Sequence, residues 1–231
     1  MAQALVEPLL NSGSFSADQV HAVVGSAATA KRLAQGTFEA VSIHPSGCSE
    51  ALQVWSAPVQ LLAVKPQQID AIAAAAPDVD HHPLLVSVLA GVSLHRLQRL
   101  FPGHRVVRAV PNTPALVGEG VTALAWGEAI SSEQRLKVRE LFAGVSEVLE
   151  LPEAKLDAFL ALTSSGPAFV ALMAEAMADG AVAAGLPRDL AHRLAHRTLA
   201  GTAALLDQRQ LHPATLKDMV TSPGGTTIAG V

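Results

Sequence analysis

Residues 59–64 read VQLLAV and residues 84–89 read LLVSVL, two apolar runs too short to be helices. Each is halted by turn residues, Lys65-Pro66 and Ala90-Gly91. A strand that is apolar at consecutive rather than alternate positions is expected to be buried on both faces. That calls for a parallel sheet covered by helices on either side. The rest of the first 151 residues falls in with this requirement. Further strands are expected at 20–24, at 106–110, 121–125 and 145–149, and weakly at 41–43. Helices are expected at 1–10, 28–35, 49–54, 67–76, 93–100 and 132–143. Strands and helices alternating at this spacing predict an α/β domain with a mostly parallel sheet. Ligands of such sheets sit beyond the carboxyl ends of the strands. Ser26, Lys65-Pro66, Ala90-Gly91 and Asn112 all fall at those ends.

From Pro152 onward the strands stop, which sets a domain boundary near Leu151. Helices are expected at 153–162, 168–185, 188–208 and 213–220, from their period and their Gly or Pro boundaries. In 168–185 only Glu175 and Asp179 form a polar stripe, so that helix is expected to be buried nearly all round, inside a domain or an oligomer. The apolar stretch 156–186 is interrupted by Ser164, Ser165, Gly166-Pro167, Glu175 and Asp179. No window in it reaches the roughly 20 clean apolar residues of a membrane span.

Half of the chain is hydrophobic, yet only 3% is aromatic and there is no tyrosine, so the core must be built from Ala, Val and Leu. A net charge of −4 with no basic stripe argues against a nucleic-acid partner. The single cysteine, Cys48, excludes an internal disulfide framework and fits a reducing cytoplasm. The first ten residues contain Glu7 and Pro8 and no basic residue, unlike a signal peptide.

The densest turn signal is Ser222-Pro223-Gly224-Gly225-Thr226-Thr227, with apolar Ile228, Ala229 and Val231 behind it. Pro223 fixes one φ and the glycines free the next two positions for φ > 0. The pattern reads as a tight turn feeding a helix N-terminus, where unpaired N–H groups favour an anion. A threonine there caps the helix or offers its hydroxyl to a ligand. His192 and His196, one turn apart with Asp189 on their face, have metal-ligand spacing, but Arg193 and Arg197 interleave them, so a solvated face is expected and no metal. After the strand at 20–24 no acid stands ready for a ribose 2′-OH, whereas Ser26, Thr29, Lys31 and Arg32 could meet a 2′-phosphate.

Five blocks in order resemble the pyrroline-5-carboxylate reductase family: LLAVKP (61–66), SVLAGV (87–92), RAVPNTPALVGEG (108–120), TSSGPAFVALMAEAMADGAVAAGLPR (163–188) and HPATLKDMVTSPGGTTI (212–228). The resemblance implies an α/β chain, with a Rossmann-type, mostly parallel NADP-binding domain (1–151) followed by an all-α substrate and dimerisation domain (152–231). It implies a cytoplasmic reductase that converts 1-pyrroline-5-carboxylate to L-proline with NADPH, NADH being possible, in a homo-oligomer built on a dimer. Neither nucleic acid nor membrane has a place in it.

Carried over by position, Gly224, Gly225 and Thr226 would bind the substrate carboxylate and Thr227 the ring nitrogen, as the catalytic residue. Ser222 and Glu153 would line the same pocket. Val64, Lys65 and Pro66, with Ala90 and Gly91, would wall the cofactor. Asn112 would lie near the nicotinamide and Ser26 at the adenosine ribose or its 2′-phosphate. Ser164 and Phe169 stand where the family usually has Gly and Tyr. The family also opens with a strand and a G-x-G-N-M-A loop, of which Met1 looks like the methionine, and continues beyond the position of Val231. On this resemblance the sequence is expected to be an internal fragment or a mis-called reading frame, one that binds NADPH poorly and turns over slowly or not at all. Alternative readings are an inactive or weakly active fragment, or a reductase of another small imine or 2-keto acid.

Overall fold

A computed structural model describes residues 2–231; Met1, where the first helix was expected to begin, lies outside them. The chain divides into two compact units, one ending at Pro167 and the other Ala168–Val231. The strands end at Glu150, beside the boundary expected near Leu151. The helix that follows, with Leu156 wholly buried, still packs into the core of the first unit.

In the first unit, helix α1 (Ala2–Asn11) precedes strand β1 (His21–Val24), helix α2 (Ala27–Leu33) and strand β2 (Ser42–Pro45). Then come β3 (Val59–Leu62), α3 (Ile69–Ala75), β4 (Leu84–Ser87), α4 (Leu94–Leu100), β5 (Arg105–Val110), β6 (Gly120–Trp126), α5 (Ser132–Ala143), β7 (Ser146–Glu150) and α6 (Leu156–Thr163). The stretch expected as a helix at 49–54 is a 3-10 run, Ser49–Ser56.

Among the described residues the strands form two sheets rather than one: a parallel pair β1–β2, and five strands in the order β3-β4-β5-β6-β7. Within the five, β3, β4 and β5 are parallel, β6 runs antiparallel to β5, and β7 is parallel to β6. The register aligns Leu62 with Ser87 and Ser87 with Arg108, so the carboxyl ends of β3, β4 and β5 share one rim.

Two apolar layers flank this sheet, as period-2 side chains require. Leu85, Val106, Val110 and Ala125 pack with Ile69 of α3, Leu94 and Leu97 of α4 and Leu156 of α6. Leu84, Val86, Val107 and Leu124 pack with Leu5 of α1 and with Val138 and Phe142 of α5. The expectation of burial on both faces fits β4, whose four residues are all buried, but not β3. Among the described residues β3 is an edge strand, and its Val59 is 37% exposed. Trp55 stacks on Phe101 at the margin of the first layer and His104 meets both rings edge-on, with centroids 5.6–6.1 Å apart. Trp126 lies under the Arg135 guanidinium at 5.1 Å.

The second unit takes in nearly all of α7 (Gly166–Ala183), then α8 (Arg188–Gln208) and α9 (Pro213–Val220). Its core is a small alanine seam: Ala178 of α7 against Ala191 and Ala195 of α8, flanked by Ala181 and Val182. Small side chains let the helix backbones approach closely. Asp179 and Arg188 close the corner with a 2.9 Å ion pair. The expected all-round burial of α7 does not arise within the chain. Only Ala174 and Ala178 are buried, while Phe169, Leu172 and Met173 are 65%, 66% and 54% exposed. The run Glu153–Ala183 is apolar enough to cross a membrane by length and composition, with mean hydropathy 1.5, but residues 164 and 165 form a turn between α6 and α7.

Candidate functional site

The rim of β3, β4 and β5 carries most of the residues singled out in the first unit. Val64, Lys65 and Pro66 follow β3. Lys65 adopts extended backbone, and its N–H donates to Gln68 Oε1 at 3.3 Å, which opens the 3-10 turn Pro66–Gln68. Ala90 and Gly91 follow β4; both are exposed, and Gly91 holds φ at +70°. Ser26 stands just beyond β1, where its hydroxyl caps α2 by accepting from Thr29 N at 3.2 Å. Lys31 and Arg32 lie in the last turn of that helix.

Asn112 follows β5 and is 6% exposed. Its Oδ1 accepts from Val121 N at 2.9 Å and its Nδ2 donates to the Thr163 carbonyl at 3.1 Å. Because β6 is antiparallel, Val121 at its start lies beside the carboxyl end of β5. One amide side chain thus joins the β5 turn, the head of β6 and the tail of α6, and Ser164 Oγ adds a 3.4 Å bond to the Pro111 carbonyl. Holding the turn in place is the observed work of this side chain.

Glu153, matched by resemblance to the substrate pocket, is occupied within the first unit. Its Oε1 accepts from Leu94 N at 2.6 Å and from Arg108 Nη1 at 3.1 Å. Arg108 was not among the expected site residues, although a charged residue inside the apolar run 106–110 is a usable signal. It sits on β5 between Val106 and Val110, and only 4% of it is exposed.

In the second unit, Ser222, Gly224, Gly225, Thr226 and Thr227 come together in a turn directly after α9. His212 caps that helix, its Nδ1 accepting from Ala214 N at 3.2 Å. Gly225 N donates to the Ser222 carbonyl at 2.9 Å. Two expectations are corrected here. The turn does not feed a helix, since residues 226–230 form further turns. Only Gly224 has positive φ, +69°, and not Gly225. Ser222, Gly224, Thr226 and Thr227 are exposed. His192 and His196 lie with ring centroids 6.2 Å apart, and no group of three or more metal-ligating side chains gathers among the described residues.

These features define a Rossmann-type α/β protein with a helical carboxyl-terminal portion. Residues 153–231 match the family model for pyrroline-5-carboxylate reductase dimerisation, and residues 1–91 match that for NADP oxidoreductase, coenzyme F420-dependent. The pyrroline-5-carboxylate reductase of Synechocystis sp. is 46% identical over all of this chain and 85% of its own length. That of Arabidopsis thaliana is 38% identical over all of this chain and 82% of its own. The crystal structure of 1-pyrroline-5-carboxylate reductase from Streptococcus pyogenes superposes with a TM-score of 0.87 at 27% identity, covering 100% of this chain and 85% of that one. The chain belongs to the pyrroline-5-carboxylate reductase family.

Proposed function

We propose that the chain reduces 1-pyrroline-5-carboxylate to L-proline with NADPH, the last step of proline biosynthesis, as a cytoplasmic homo-oligomer built on a dimer. The observation that carries this is the 46% identity, over the whole chain, to a pyrroline-5-carboxylate reductase.

The residues present suit NADPH. Small, exposed Ala90 and Gly91 let a flat ring approach the rim, with Val64, Lys65 and Pro66 as the neighbouring wall. Ser26, Lys31 and Arg32 supply a hydroxyl and positive charge where a 2′-phosphate would lie, with no acid between the strand and Ser26. When bound, NADPH supplies the hydride from nicotinamide C4. Asn112 contributes by fixing the turn nearest that ring.

The substrate is met by the turn after α9. The Gly225 N–H is already taken by Ser222, so the carboxylate is received by the Gly224 and Thr226 amides, with Ser222 beside them. The Thr227 hydroxyl bonds the ring nitrogen, donating to the imine or accepting from the protonated iminium. The hydride goes to the imine carbon and one proton ends on nitrogen. No nucleophile is needed, so catalysis is orientation together with a neutralised carboxylate. The exposed apolar face of α7 is the natural subunit contact, lying within the stretch matched to dimerisation.

The test is NADPH oxidation with 1-pyrroline-5-carboxylate, compared with other cyclic imines and 2-keto acids, for wild type and Thr227→Ala. The expected result is preference for 1-pyrroline-5-carboxylate, and a Thr227→Ala variant with reduced turnover but unchanged NADPH affinity. Unchanged kinetics in the variant would remove Thr227 from the reaction, and preference for another substrate would replace the assignment.

A further inference from the structure

The Glu153 carboxylate is held by donors from two different elements. Arg108 comes from β5, two residues from Val106 and from Val110, and its side chain is 5% exposed. A buried guanidinium requires an acceptor. Nη1 finds Glu153 Oε1 at 3.1 Å, while Nε and Nη2 have no hydrogen-bond partner. The other acid nearby, Asp157, is 3.6 Å from Nη2 on a side chain that is 88% exposed. Glu153 is therefore the carboxylate on which Arg108 depends.

The same oxygen accepts the Leu94 N–H at 2.6 Å. Leu94 opens α4, whose other cap is the Ser93 hydroxyl on Arg96 N at 3.2 Å. Going back from Leu94 along the chain, Val92 is buried, Gly91 holds its positive φ, and Leu89 N rests on Ser87 Oγ at 3.4 Å. The turn bearing Ala90 and Gly91 is thus tied to β4 at its start and to Glu153 at its end.

We propose that Glu153 is a positioning residue of the cofactor wall: braced by Arg108, its carboxylate fixes the Leu94 amide and with it the Ala90–Gly91 turn. This rests on the reading of that turn as the cofactor wall, and it assigns Glu153 to the cofactor side of the reaction rather than to the substrate. Arg108 acts one step further back, through Glu153.

The experiment compares wild type with Glu153→Gln, which keeps the shape and loses the charge, and Glu153→Asp, which keeps the charge but is too short to reach both donors. NADPH affinity is measured by calorimetry, the KM for 1-pyrroline-5-carboxylate at saturating NADPH, and hydrogen exchange at the Leu94 amide. The expected result is NADPH affinity weakened about tenfold in both variants, the loss of one charge-assisted hydrogen bond, with faster exchange at Leu94 and an unchanged imine KM. A raised imine KM with unchanged NADPH affinity would overturn the proposal, as would unchanged exchange at Leu94. Should Glu153→Gln fail to fold, Glu153→Asp carries the same readouts. Preference of the wild type for another substrate would refute the functional reading instead, and the exchange rate at Leu94 would still decide whether Glu153 holds the turn.

Discussion

The backbone N–H of Gly225 donates to the carbonyl of Ser222 at 2.9 Å, closing a turn in which Gly224, and not Gly225, takes the left-handed conformation. The two glycines are therefore required for different reasons. At Gly224 the reason is backbone conformation, with open space around a would-be Cβ. At Gly225 it is space, because a Cβ there would come 2.5 Å from Ser222 Oγ and 3.2 Å from the Ser222 carbonyl oxygen.

Substitution should separate these reasons. Gly224→Ala is expected to lower stability by about 1 kcal/mol through φ strain. Gly225→Ala should be relieved in part by Ser222→Ala, since the nearest obstacle is the end of a rotatable side chain. Gly225→Val should not be relieved, and should raise the imine KM. Thermal unfolding midpoints and imine kinetics of the single and double variants check this. Failure of Ser222→Ala to improve Gly225→Ala would refute the steric account.

His212 is an unusual N-cap, accepting through Nδ1 from Ala214 N at 3.2 Å at the start of the helix that leads into the turn. His212→Ala is expected to cost about 1 kcal/mol and to raise the imine KM. His212→Asn, which restores a side-chain acceptor, should recover both. If Asn behaves like Ala in denaturant titrations, the cap is not what holds α9.

The exposed row Phe169, Leu172 and Met173 on α7 predicts assembly. A single Leu172→Glu places a charge in that apolar contact, so the variant should shift toward monomer at micromolar concentration. Light scattering reads the outcome, and an unchanged assembly would move the interface to another face.

His104 gives a pH dependence whose sign can be worked out. Burial, and then the nearby charge of His81, holds its pKa below the ordinary value of 6.5. Its Nε2 pairs with Gln60 Oε1 at 3.1 Å, and Nδ1 has no partner. The unfolded chain binds the proton more readily, so this contribution to stability is complete above about pH 6.5. It is lost progressively as the pH falls toward the depressed folded value. His104→Gln, which cannot titrate, should flatten that part of the denaturation profile. An equally steep profile in the variant would remove His104 as the cause.

Helices with clear ends were legible to the residue: 132–143, 188–208 and 213–220 match α5, α8 and α9, each opened by a Ser, Pro or His-Pro signal. What local pattern cannot carry is position within a sheet. The run VQLLAV is apolar wherever it pairs, so the edge exposure of Val59 depends on strand order, which lies outside the run itself. The same limit applies to α7, whose apolar surface reads alike whether its own chain or a second copy covers it. The conformations of Gly224 and Gly225 were indistinguishable because glycine permits both. Arg108 and Glu153, far apart in sequence, meet only once β5 and the segment after β7 are folded together.

The composition of the two units has an optical consequence. The chain has no tyrosine and two tryptophans, Trp55 and Trp126, both in the first unit. Intrinsic fluorescence therefore reports on the sheet layers alone, Trp55 through its stacking with Phe101 and Trp126 through its cover by Arg135. Helices α8 and α9 and the turn behind them carry no tryptophan and are dark to this signal. A tryptophan melting curve would stay level while those helices came apart, whereas far-ultraviolet circular dichroism, which counts their backbone, would already be falling.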